Sequence, residues 1–138
     1  MRRTALILAA ALVATPAMAG PYLFDLLQIK SYRASWSALF KGEKTVPGWI
    51  TTFGKTGDGV ATPSQDVQVE NQDYVVASVC KPHDCGDNML YVAFASLGGS
   101  AFGLLEESTG GSSTVARFFG HPDQDMQDAL TSAAKANQ

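Results

Sequence analysis

The chain has 138 residues, 46% of them hydrophobic and 17% charged, a globular composition with room for one domain. Thirteen glycines and six prolines count against an all-helical bundle. A net charge of −3 counts against a free nucleic-acid-binding domain, which needs a basic surface.

The chain opens as an export signal. Arg2 and Arg3 form a positive start, Ala5 to Ala14 is apolar, and Pro16 breaks the run. Ala17-Met18-Ala19 then supplies the small-x-small pattern that signal peptidase cuts after. The apolar run is about half the roughly 20 residues that a membrane-spanning helix needs. Residues 1–19 are therefore expected to be a signal peptide, and residues 20–138 a single domain without a membrane span. Losing Arg2 and Arg3 takes the net charge from −3 to −5. A short signal before a small domain fits a periplasmic protein.

Tyr22 to Phe40 reads as one helix, with Pro21 at its start, Asp25 in its first turn and apolar residues at mixed three- and four-residue spacings. Lys41-Gly42 ends it. Val46-Pro47-Gly48 turns into a short element at Trp49-Ile50. Gly54 to Ser64, rich in Gly, Thr, Asp and Pro, reads as a loop.

The period then changes to two. Val67 and Val69 alternate with polar residues, and Asn71-Gln72-Asp73 reads as a turn. Tyr74 to Cys80 is a strand with Val75, Ala77 and Val79 on one face. Met89 to Ser96 is more apolar and is expected at the centre of a sheet. Phe102 to Glu107 and Thr114 to Phe119 complete five strands. A final helix is expected from Pro122 to Lys135, with Asp123 and Asp125 at its positive end and Met126 and Leu130 buried. Short turns between successive strands favour a meander. The expected fold class is α+β: a five-stranded antiparallel sheet with an N-terminal and a C-terminal helix packed on it.

Cys80 and Cys85 are the two cysteines of an exported chain, close in sequence, and are expected to pair. So small a ring contributes about 2 kcal/mol at most on chain-entropy grounds. Its stronger effect is local, stiffening Lys81-Pro82-His83-Asp84 at the tip of the hairpin formed by the second and third strands.

Other chemistries fit poorly. Gly54-Lys55-Thr56 lacks the upstream glycine of a phosphate-binding loop, since Trp49 occupies that place. A zinc site would need Cys80, Cys85, His83 and His121 together, and a disulfide consumes the first two. No Gly-x-Ser-x-Gly elbow is present. Glu106 and Glu107 are adjacent in a strand, so they point to opposite faces and cannot serve one sugar as an acid pair. No metal, no cofactor and no enzymatic activity are expected.

The tip remains. It gathers a cation, an imidazole and a carboxylate on a backbone that Pro82 restricts, so little entropy is left to lose on docking. Two readings stay open on these grounds. One is a stapled turn whose histidine is merely solvated. The other is the probe of a protein inhibitor that enters an active-site cleft.

The hexapeptide Cys80–Cys85, Cys-Lys-Pro-His-Asp-Cys, resembles the signature loop of the Ivy family, inhibitors of vertebrate (c-type) lysozyme. Supporting similarities lie at Trp36 to Phe40, Val46-Pro47-Gly48-Trp49, Tyr74 to Cys80, Phe102 to Leu105 and Phe119 to Asp123. The resemblance implies a periplasmic inhibitor, often a homodimer, whose partner is c-type lysozyme. It implies that His83 enters the cleft and bonds both catalytic carboxyl groups, with Lys81 and Asp84 at the rim. Two alternatives share the loop: a regulator of the bacterium's own lytic transglycosylases, and a non-inhibitory binding protein of the envelope.

Overall fold

A computed structural model describes residues 19–111 and 113–137. The expected signal peptide lies outside the described residues, apart from Ala19 at its end. Among the described residues no helix is long and apolar enough to cross a membrane.

The elements run α1 (Leu23–Leu26), α2 (Lys30–Leu39), α3 (Gly48–Thr56), β1 (Val60–Val69), β2 (Gln72–Cys80), β3 (Asn88–Ala95), β4 (Ala101–Ser108), β5 (Thr114–Phe119) and α4 (Gln124–Ala136). A 3₁₀ turn, Ser96–Gly98, joins β3 to β4. The strands pair in chain order, every neighbour antiparallel, so the sheet is the expected α+β meander with β3 at its centre.

Alternation along the strands gives the sheet two buried faces. Ala77, Val79, Leu90, Val92, Phe94 and Leu105 meet Leu23, Leu26, Trp36, Leu39, Ile50 and Phe53 from α1, α2 and α3. Val76, Tyr91, Ala93 and Leu104 meet Met126, Leu130 and Ala134 of α4. The sheet thus lies between three short helices and one longer one. Asp123 caps α4 by accepting from the Met126 backbone N–H at 3.0 Å.

Three expectations need correction. The single helix from Tyr22 to Phe40 is two. Ile29 is extended (φ −82°, ψ 127°), and Arg33 Nε donates to the Leu27 carbonyl at 2.7 Å across the break. The cause is packing. In a straight helix Trp36 would lie about 220° around the axis from Leu23, on the far side. Both are buried against the same sheet face, so the chain must break between them.

The loop expected over Gly54–Ser64 is mostly ordered secondary structure. Buried Ile50 and Phe53 carry α3 through to Thr56, and left-handed Gly57 (φ 75°) stops it. β1 then begins at Val60. Pro63 is accommodated because β1 is an edge strand and its register with β2 slips between Thr62 and Gln65.

The first hairpin turns at Glu70–Asn71, not at Asn71–Asp73. Both turn residues have positive φ (47° and 66°), as a two-residue hairpin turn demands, and Val69 pairs with Gln72. This turn brings Glu70 towards the start of α4, where Asp125, foremost, and Asp123 raise its carboxyl pKa.

Candidate functional site

Lys81 to Asp87 connect β2 to β3 at one end of the sheet. Cys80, the last residue of β2, is buried, and it is joined to exposed Cys85 with their Cα atoms 4.8 Å apart. The pairing expected from the sequence is therefore present. It removes both thiolates from any metal-ligand set.

Backbone bonds close the loop in two tiers. At the base the Lys81 N–H donates to the Asn88 carbonyl at 3.1 Å. At the tip the Asp84 N–H donates to the Lys81 carbonyl at 3.0 Å. Lys81-Pro82-His83-Asp84 is thus a hydrogen-bonded β-turn with proline second and a positive φ (62°) third. That is the pattern of a type II turn, whose third position ordinarily takes glycine. Histidine there costs about 1–2 kcal/mol of backbone strain. His83 is exposed at the crest, and among the described residues no hydrogen bond holds its ring.

Asp84 is the hub beneath the crest. Its Oδ2 accepts from Lys81 Nζ at 2.7 Å and from Asn88 Nδ2 at 2.8 Å. Its backbone carbonyl accepts from the N–H groups of Asn88 (3.1 Å) and Asp87 (3.3 Å). The Asp87 carbonyl in turn accepts from the Ser108 N–H at 2.7 Å, tying the loop to the end of β4. Lys81 and Asp84 are both partly solvated, so their ion pair contributes little net stability. Its effect is on shape: the charges flanking His83 are directed at one another, and the turn is held from below.

The structure therefore brings Lys81, Pro82, His83 and Asp84 together on one stapled turn. His121 does not join them, because it follows β5 at the opposite end of the sheet, where Phe119 pairs with Gly103. Asn88 is the member that sequence reading passed over. The signal was the four-residue spacing from Asp84, which lets an Asn amide reach an Asp carboxylate across one tight turn.

Comparison with known proteins places the chain in a family. The Ivy family model, described as inhibitor of vertebrate lysozyme, matches residues 31–135. An inhibitor of vertebrate lysozyme from Pseudomonas aeruginosa is 38% identical over 135 residues, covering 90% of this chain and 86% of its own. An uncharacterized protein of Yersinia pestis is 32% identical, over 86% of this chain and 80% of its own. The inhibitor of vertebrate lysozyme from Escherichia coli K12 is 32% identical over 99 residues, 70% of this chain and 59% of its own. With its stapled loop, its meander sheet and matches along most of its length, the chain belongs to the Ivy family.

Proposed function

We propose that this protein is an exported, non-enzymatic inhibitor of c-type lysozyme that plugs the enzyme's active-site cleft with the Cys80–Cys85 loop. The observation that carries the reading is the crest. A solvent-facing imidazole is held in a strained backbone conformation by a disulfide and by Asp84, and the core makes no demand for it there. Strained residues cluster at sites kept for function, and here the strained residue is an exposed imidazole between a paired cation and carboxylate.

The chemistry of the target suits that residue. Lysozyme keeps one catalytic carboxyl protonated and the other ionised near neutral pH. In a retaining glycosidase the two lie roughly 5–5.5 Å apart. A neutral imidazole has one acceptor nitrogen and one donor N–H. His83 accepts from the protonated acid and donates to the carboxylate. It thereby fills the space of the scissile sugar with a group that has no glycosidic bond to cleave. The loop's rigidity limits the ordering cost of insertion.

Export is part of the proposal. Residues 1–19 act as the signal peptide, and the Cys80–Cys85 bridge needs an oxidising compartment such as the periplasm. Removal of Arg2 and Arg3 leaves an acidic domain, which speeds association with a basic enzyme and makes it salt-sensitive.

The test is a lysozyme activity titration with wild type beside His83→Ala. Wild type inhibits near stoichiometrically. The variant loses about 2–4 kcal/mol of binding, the size of a central hot spot. Less than about a threefold change in affinity contradicts the role of His83. No inhibition by wild type, with the disulfide intact, contradicts the target itself and directs the assay to lytic transglycosylases.

A further inference from the structure

Beside the loop, on the α4 face of the sheet, α4 stops short of the strand ends. Asn137, just past its last turn, donates to Ser78 Oγ at 3.1 Å, and beyond it the sheet surface is open. The result is a groove walled by Cys85, Asp87, Tyr91, Glu106, Thr114 and Asn137.

Three features distinguish it. First, it is continuous with the loop: Cys85 and Gly86 belong to both, and the bond from the Ser108 N–H to the Asp87 carbonyl locks its wall to the loop's base. Second, its charge has one sign. Asp87 and Glu106 line it, no lysine or arginine among the described residues does, and the loop's own cation, Lys81, is paired with Asp84 instead. Third, its floor is firm. Tyr91 is almost wholly buried, and its hydroxyl pKa is raised by burial and then by the Glu106 charge beside it.

We propose that this groove seats a basic side chain from the rim of the lysozyme cleft, a second contact that loop insertion brings into register. The inference rests on the loop-plug reading above. Continuity and charge support it: the groove begins at Cys85 and Gly86 of the loop on which the enzyme docks, and it offers two carboxylates and no cation among its lining residues to a basic partner. Contacts of this kind act mainly on association rate and salt dependence, whereas His83 acts on the strength of the docked state.

The experiment measures binding kinetics of the full exported protein with c-type lysozyme, at roughly 0.05 and 0.3 M salt so that screening changes strongly. The variants are Glu106→Gln, Asp87→Asn with Glu106→Gln, and Glu70→Gln. Glu70 lies at the far end of the sheet, so its variant removes one charge without touching the groove. The double variant is expected to raise Kd about 10-fold at low salt, chiefly through a slower on-rate, and to flatten the salt dependence. Glu70→Gln is expected to stay within about twofold of wild type. Thr114→Lys, at an exposed position on the rim, supplies a cation of its own and should weaken binding comparably; it covers the case in which the double variant does not fold. Groove variants that match the Glu70→Gln control, while wild type still inhibits and His83→Ala inhibits far less, overturn the groove and leave the loop standing. A wild type that does not bind lysozyme overturns both.

Discussion

The two turns that flank β3 make the same backbone move for different ends. At one end the Lys81 N–H meets the Asn88 carbonyl at 3.1 Å; at the other the Ala95 N–H meets the Ser100 carbonyl at 3.0 Å. Each turn lifts a non-glycine residue into left-handed space, His83 (φ 62°) and Leu97 (φ 60°). Leu97 is 85% exposed, as conspicuous as the histidine. What holds them differs. The Leu97 turn is riveted to the body of the protein: Ser35 Oγ donates to the Gly98 carbonyl at 2.6 Å, and Gly98 lies against Tyr32 of α2. The His83 turn is held by its own atoms and by the end of β4, through the disulfide, Asp84 and Ser108. One turn is a seam between sheet and helix. The other is a projection braced chiefly by its own atoms and by the end of β4.

That contrast can be broken from either side. Gly98→Ala strikes the seam. A Cβ there falls 2.7 Å from the Tyr32 backbone nitrogen, at a φ of 74° that alanine resists. We expect a stability loss of about 2–3 kcal/mol by denaturant unfolding, with inhibition by the folded fraction unchanged. A selective loss of inhibition would mean that the two ends are coupled.

Cys85→Ser strikes the projection. It should cost about 2 kcal/mol of stability and leave a cooperative unfolding transition. Inhibition should weaken about 10-fold, since a looser loop must be ordered on docking. A chain that no longer folds would show the bridge to be part of the core's support.

Asn88→Ala removes the 2.8 Å bond to Asp84 and leaves the disulfide in place. We expect about 1 kcal/mol of stability to be lost. A measurable rise in the inhibition constant should accompany it. If inhibition is untouched, the disulfide alone suffices to shape the crest.

The smallest effect sharpens the comparison most. Glycine relieves left-handed strain at either position, so His83→Gly and Leu97→Gly should each gain about 0.5–1 kcal/mol, read as a raised melting temperature. Only the first should weaken inhibition strongly. Equal loss of inhibition in both would erase the distinction between the turns.

Much of this was legible in the sequence, and the reasons are local. Thr114–Phe119 is a strand at the expected bounds, because Gly110-Gly111 and Gly120 punctuate it at both ends. The stapled turn was readable because proline and paired cysteines constrain their own neighbourhoods. The break at Ile29 was not, because it answers to a sheet face that is assembled from residues far along the chain. Nor was the start of β1: Pro63 reads as a breaker, and only its place on an edge strand makes it harmless. The groove was illegible for the same reason as the helix break. Its walls come from the loop, β3, β4, the start of β5 and the end of α4, and no window of sequence holds them together. Glu106 and Glu107 were rightly separated by strand alternation, yet Glu106 acquired a setting that alternation alone could not supply.

The most direct test of the plug is competition for the cleft. Binding of the wild-type protein to c-type lysozyme should be titrated at rising concentrations of an oligosaccharide that fills the catalytic subsites. If the loop occupies those subsites, the apparent Kd rises in proportion to saccharide occupancy and no ternary complex forms. If saccharide-loaded lysozyme binds the protein as tightly as free enzyme does, His83 lies outside the cleft and the plug mechanism is wrong.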